Sequence, residues 1–263
     1  MTILAEHNRI LDSVHNLRDY GGYAVSGGGR VAVGKLWRSG QLHGATAADI
    51  AHIDALDLRA IVDLRGPKER IKAPNPPLPQ SDPRSFETNH ETANLIFNVK
   101  PDDDAAASVA MVDAAMGAGY RVMPFNPALI EIMTAHFSAL ATIGGAQLIH
   151  CLAGKDRTGL TVALTQHLLG VHFDDINADY LLTNSAGNIE ARIEAGARAI
   201  RRVHRDDLPL AAIRVLMGVR DEYLACGWGA MNEQHGSIDA YLRVVLGVDE
   251  PRAAAIRANY LVS

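Results

Sequence analysis

Apolar positions recur at helical spacing in some stretches of this chain and bunch into short runs in others, and together they predict its elements. Thr46 reads as an N-cap with Asp49 three positions on, and Ile50, Ile53 and Leu56 then share one helical face. Within Arg59–Leu64 the run Ala60-Ile61-Val62 is short and apolar enough for a buried parallel strand. Asn126 or Pro127 opens a helix through Leu140 that carries Leu129, Ile130, Ile132, Met133 and Phe137. After Gly144-Gly145, Gln147–His150 predicts a second buried strand, and Thr158–Leu169 a helix closed by Gly170.

Other stretches are less regular. Leu17–Leu36 is glycine-rich, and Gly27-Gly28-Gly29 ahead of Arg30–Arg38 predicts a hairpin leading into a strand. Residues 73–83 hold five of the eleven prolines and predict an extended loop. Asp102-Asp103-Asp104 opens an alanine-rich helical stretch that Gly117 and Gly119 are expected to close. Ser185–Cys226 reads as almost entirely helical. Ile189, Ile193, Ala197 and Ile200 mark one helix there, and Pro209 opens another with Leu210, Ile213, Leu216, Met217 and Leu224. The expectation is an α/β fold, a mostly parallel central sheet flanked by helices, with no internal repeat.

Between the second buried strand and its helix the chain reads His150-Cys151-Leu152-Ala153-Gly154-Lys155-Asp156-Arg157-Thr158-Gly159. A loop this short curls until the backbone N–H groups of residues 152–157 converge on one point, to which the next helix adds its positive end. An anion held there sits over the sulfur of Cys151, and the same field favours thiolate over thiol. Arg157 supplies a planar fork for two phosphate oxygens. Thr158 can donate to the sulfur and ease its departure. Lys and Arg fill 25 of 263 positions, so a bare Cys-x5-Arg pair arises by chance. The full string is far more specific, and it disfavours the alternative of an inert cysteine beside a surface arginine. A magnesium-nucleotide loop does not fit. Asp156 stands where Ser or Thr would hold the metal, and Ile149 where the leading glycine belongs.

The string resembles the bacterial branch of the cysteine-dependent protein tyrosine phosphatases, the atypical tyrosine and phosphoinositide phosphatases with a His-Cys-x-x-Gly-Lys-Asp-Arg-Thr-Gly loop. Asn16–Gly22, Trp37–Leu42, Val62–Arg65 with Glu69-Arg70, Tyr180–Asn184 and Gly236–Leu242 resemble that branch too, so the likeness spans nearly the whole chain. It implies a phosphatase-like fold and a cysteinyl-phosphate intermediate. It also implies a single domain over 1–263 with residues 185–227 as a helical lid; an ordinary packed helical subdomain is the other reading. The sequence lacks the Trp-Pro-Asp acid loop of most tyrosine phosphatases. The proton donor is therefore Asp156, to which the resemblance gives a catalytic role, or Asp63 at the end of the first buried strand, with Asp82 a distant third. Asp156 otherwise orients Arg157 or caps the helix, and Asp63 otherwise pairs with Arg65 or Arg18. Lys155 is either a second positive charge at the mouth, suited in the resembling family to multiply phosphorylated substrates, or a solvated lysine. His150 is expected to order the loop by hydrogen bonding. Arg18, Asp19, Arg38 and Ser39, all within the resembling motifs, are expected to support the site.

Composition narrows the picture. Hydrophobic residues make up 48% and charged residues 21%, the balance of a soluble globular protein. A net charge of −5 argues against a nucleic-acid partner. Cys151 and Cys226 offer no disulfide framework and suit a reducing compartment, so a cytoplasmic location is expected. Met1–Arg9 has no long apolar core, and no run approaches a membrane span, although export without a signal peptide stays open. The histidines show no metal-ligand spacing, and no cofactor is expected. The expected partners are phosphorylated proteins or phosphoinositides. Two other classes stay open: a phosphate-binding module without turnover, and an arsenate reductase or sulfurtransferase in which Cys226 would be the resolving thiol.

Overall fold

Two apolar runs, Leu58–Asp63 and Ala146–His150, lie side by side and parallel at the heart of a five-stranded sheet. The structure, a computed structural model, describes residues 11, 13–93, 104–186, 189–203 and 208–263. Its strands are β1 (Arg18–Asp19), β2 (Arg30–Val31), β3 (Leu36–Ser39), β4 (Leu58–Asp63), β5 (Arg84–Phe86), β6 (Ala146–His150) and β7 (Leu261–Val262). The first helices are α1 (Ala47–Asp54), α2 (Pro67–Lys72), α3 (Ala105–Val122), α4 (Pro127–Thr142), α5 (Asp156–Leu169) and α6 (Phe173–Leu181). They are followed by α7 (Ile189–Val203), α8 (Leu210–Met217), α9 (Asp221–His235), α10 (Ile238–Val244) and α11 (Glu250–Tyr260).

The sheet order is β1-β3-β6-β4-β5, and only β1 runs antiparallel to its neighbour. This is the mostly parallel sheet expected. Side chains alternate across it, as strand geometry requires. Val62 and Ile149 enter a large core with α3, α4, α5 and α9–α11, while Ile61 and Leu148 enter a second core with Trp37, Leu42 and Ile53. Burial on both faces explains why these runs carry no polar alternation. Ser39 and Asp63 both lie beside His150, so β3, β6 and β4 end level and launch their loops from one edge. A separate ribbon pairs β2 with β7.

Several elements depart from expectation. Gly117 and Gly119 do not close α3, which runs on to Val122. The helix packs against α9, with Gly117 facing Cys226, and that packing outweighs a glycine penalty of about 1 kcal/mol. Leu224 belongs to α9, because the chain breaks at Gly218, so the expected stretch 185–227 ends inside α9. The helix after the loop starts at Asp156, two residues earlier than Thr158. Strand β5, just after the proline-rich loop, pairs with β4 and was not legible. Met1–Arg9 and Asp102-Asp103 lie outside the described residues, as does the side chain of Ile200. Among the described residues no helix is long and apolar enough to cross a membrane.

Candidate active site

The loop from Cys151 to Lys155 leaves β6 and enters α5 through Gly154, whose φ is +66°. A Cβ at Gly154 would stand 2.4 Å from the Ser39 carbonyl oxygen and 2.5 Å from the Gly40 nitrogen, so only glycine fits between the loop and the end of β3. The loop carbonyls are held from outside. Leu152 O accepts from the Gln41 N–H at 3.0 Å, and Gly154 O accepts from Asn16 Nδ2 at 2.7 Å and Arg38 Nη2 at 3.0 Å. Among the described residues no protein acceptor takes the N–H groups of Leu152, Ala153, Gly154 or Lys155. With carbonyls committed, free amides and a helix N-terminus, the loop is an anion cradle.

Cys151 begins that loop, buried and unpaired. Arg157 is clamped by a glutamate the sequence reading gave no role. Its Nη1 donates to Glu69 Oε2 at 2.6 Å, to Thr92 Oγ1 at 2.8 Å and to Leu64 O at 3.2 Å, while Nη2 donates to Glu69 Oε1 at 2.8 Å. The remaining Nη2–H and the Nε–H share one edge of the planar guanidinium, a fork left for two oxygens of a ligand. Burial disfavours the charge on Arg157, but the bond to Glu69 and the nearby Cys151 more than offset it, and its pKa lies above the ordinary arginine value. Burial would likewise raise Glu69, yet Arg157 holds it below the ordinary glutamate value. Thr158 is buried, and its hydroxyl has no partner among the described residues, so the bond to sulfur expected from the sequence is not made here.

The two acid candidates differ sharply. Asp63 is buried and committed: its carboxylate accepts from Arg65 N at 3.0 Å, Arg65 Nε at 2.8 Å, Arg65 Nη2 at 2.6 Å and Asn75 Nδ2 at 3.1 Å. Burial pushes its pKa up, but His150 and Arg65 together bring it below the ordinary aspartate value. Asn75 Oδ1 accepts from Arg65 Nη2 at 2.9 Å, so its amide donates to His150 Nε2 at 3.2 Å. His150 therefore carries its proton on Nδ1, which faces the Cys151 carbonyl at 3.4 Å. Burial lowers its pKa, and its Nδ1 bears on the Cys151 carbonyl at the start of the loop. Asp156, in contrast, is the first residue of α5 and partly exposed. Its Oδ1 accepts from the Tyr120 hydroxyl at 2.9 Å and meets Lys155 Nζ at 3.1 Å.

Lys155 is not the solvated lysine of one of its two readings. It is 5% exposed, and its ammonium donates to Leu216 O at 2.7 Å and Gly218 O at 3.0 Å. These carbonyls lie at the C-terminal end of α8, where unpaired acceptors and the helix dipole draw a cation. Arg192 of α7 reaches the same turn, donating to Met217 O at 3.1 Å. Burial lowers its pKa, while the charges of Asp156 and Cys151 oppose that shift.

The sequence model of the tyrosine phosphatase family matches residues 10–262. The chain belongs to the tyrosine phosphatase family. It is 33% identical over 266 residues to a Cupriavidus necator protein provisionally named a tyrosine-protein phosphatase, covering 99% of this chain and 90% of that one. It is 31% identical over 266 residues to the triple specificity protein phosphatase PtpB of Mycobacterium tuberculosis, covering 89% of this chain and 92% of that protein.

Behind the loop of this phosphatase lies a buried charge cluster. Asp179 of α6 accepts from Arg18 Nε at 3.2 Å and Arg38 Nη1 at 2.9 Å, and its carbonyl from Arg18 Nη2 at 2.8 Å. Arg18 also bonds Asn16 Oδ1, and Arg38 reaches Gly154 O, so one carboxylate orients both groups that hold the Gly154 carbonyl. Burial brings Arg38 down to about 10. Arg38 reaches the Gly154 carbonyl directly and Arg18 through Asn16, whereas Asp19 accepts from the Gly21 and Gly34 N–H groups and serves the neighbouring turns. Sequence reasoning missed Asp179, Glu69, Asn75 and Tyr120. Asp179 sits directly before the Tyr180–Asn184 motif, and Glu69 lay within a quoted motif, so position was a signal for those two.

Proposed function

We propose that this protein hydrolyses phosphotyrosine, with phosphoserine, phosphothreonine and phosphoinositides as further substrates, through a cysteinyl-phosphate intermediate. The observation that carries this reading is the loop itself: free amides and the open edge of Arg157 around Cys151. The sulfur of Cys151 attacks phosphorus, the bond from phosphorus to the leaving oxygen breaks, and Asp156 gives that oxygen a proton. Water then attacks phosphorus, the S–P bond breaks, and Asp156 takes the proton of the water. The loop amides and Arg157 hold the phosphoryl oxygens throughout. Asp156 is favoured over Asp63 because every accessible lone pair of Asp63 is engaged by Arg65 and Asn75. The triple specificity of the mycobacterial relative supports a broad substrate range.

The reading takes residues 1–263 as one domain, supported by a core that runs continuously from Val62 and Ile149 to Ala212 and Tyr223. Residues 185–227 serve as a cover, tied to the loop through Lys155 and α8. Two free cysteines support a cytoplasmic location. The test is inorganic phosphate release from a phosphotyrosine peptide, comparing the native protein with Cys151→Ser. Release that vanishes in the variant is the expected result. Binding of the peptide without turnover by the native protein would overturn it in favour of a phosphate-binding module, and turnover of phosphoinositides alone would make it a lipid phosphatase.

A further inference from the structure

Two donors converge on one oxygen of Asp156. The Tyr120 hydroxyl lies 2.9 Å and Lys155 Nζ 3.1 Å from Oδ1, and the Tyr120 oxygen in turn accepts from the Tyr180 hydroxyl at 2.6 Å. A chain of hydrogen bonds, Tyr180 to Tyr120 to Asp156, thereby joins α6, α3 and the first residue of α5. Its direction is determined chemically. An ammonium only donates, so Oδ1 is an acceptor, and with Tyr180 donating to Tyr120 the proton of Tyr120 goes to Asp156. Burial, reinforced by the Asp156 charge, holds both phenols well above the ordinary tyrosine value, so both stay protonated donors.

The rings are held as firmly as the hydroxyls. Tyr120 and Tyr180 meet edge to face with centroids 6.3 Å apart, and Tyr223 of α9 lies 5.8 Å from Tyr120 on the other side. Tyr223 also donates to Asp113 of α3, which fixes the helix that carries Tyr120. Gly159 makes room for Tyr180, since a Cβ there would stand 2.9 Å from its ring.

We propose that Tyr120, oriented by Tyr180, is a positioning residue that keeps Oδ1 of Asp156 as acceptor and reserves Oδ2 to carry the proton toward the leaving group. A carboxylic acid holds one proton on either of two oxygens, and its terminal torsion is soft. Donors on a single oxygen break that symmetry and stop the group from presenting its bare oxygen to the leaving group. The inference rests on the reading of Asp156 as general acid.

The test compares kcat/KM for phenyl phosphate, whose leaving oxygen needs a proton, with 2,4-dinitrophenyl phosphate, whose leaving oxygen does not. Asp156→Asn, Tyr120→Phe, Tyr180→Phe and the Tyr120→Phe/Asp156→Asn double variant are measured beside the native protein. Tyr120→Phe is expected to lose on the order of tenfold on phenyl phosphate, part of the ~10²–10⁴ that a general acid supplies, and little on the dinitrophenyl ester. Tyr180→Phe should show the same selectivity at smaller size, and the double variant no further loss beyond Asp156→Asn. Equal loss on both esters, or additive loss in the double variant, would show that Tyr120 merely braces the fold and would overturn the proposal. If Asp156→Asn itself fails to discriminate between the esters, the acid assignment falls instead. Should Tyr120→Phe not fold, the selectivity of Tyr180→Phe decides.

Discussion

Asp179 carries more of the site than its distance from Cys151 suggests. One buried carboxylate answers two buried guanidiniums, and through them the Gly154 carbonyl stays turned away from the anion cradle. Asp179→Asn leaves both arginines without their counter-charge, and breaking a buried pair in this way costs about 3–5 kcal/mol. The expected outcome is a fall in melting temperature on the order of 10 °C, read by calorimetry. Burial raises Asp179, yet Arg18 and Arg38 leave it below the ordinary aspartate value. Its contribution is therefore complete above that ordinary value and is lost only as pH falls through the lower folded one. Gly154 is as exacting. An alanine there pushes Cβ against Ser39 at a positive φ, and a loop displaced by ~1 Å loses about 100-fold in rate. Gly154→Ala is expected to show that loss in kcat/KM for a phosphotyrosine peptide.

Helix packing sets two further outcomes. His136 of α4 is buried with Nε2 3.1 Å from Thr165 Oγ1 in α5, and Thr165 donates its own proton to Thr161 O. His136 therefore donates through Nε2, and its orphan Nδ1 is a lone pair. Burial lowers its pKa from 6.5 to about 3. Between those values the unfolded chain binds a proton that the native one refuses, so stability declines as pH falls, by at most ~1.4 kcal/mol per unit from this group. His136→Gln, compared with the native protein by urea denaturation at pH 7.5 and 5, should flatten that decline while His150 retains part of it. Lys155 binds α8 in a different way. Lys155→Met keeps the stem but leaves the Leu216 and Gly218 carbonyls without their donor, at about 1–3 kcal/mol. Amide exchange in 213–218 should accelerate about tenfold or more while β4 and β6 stay protected.

What could be read from the sequence was what its neighbours along the chain decide. Strands β4 and β6 and helices α1, α4 and α5 declared themselves through apolar runs and local caps: Thr46 caps α1 as expected, and of the two candidate starts of α4, Asn126 is the cap and Pro127 the first helical residue. Cys151, Arg157 and Gly154 were legible because one continuous loop holds them. The short strands β1, β5 and β7 were not, since two or three residues become a strand only through a partner elsewhere. Glu69 stands 88 residues from the arginine it clamps, and Asp179 stands 161 and 141 from Arg18 and Arg38. The burial of Lys155 was not legible because α8 arrives over it 61 residues later. Those separations impose an order on synthesis. Arg18 and Arg38 leave the ribosome well before their partner Asp179, which is made 161 and 141 residues after them. The β2–β7 ribbon waits longer still, because Arg30 pairs with Val262, on the order of 10–50 s behind it at ordinary elongation rates. A nascent chain thus carries two unneutralised arginines until Asp179 has been made, and the loop that starts at Cys151 gains its full support only after all three are made.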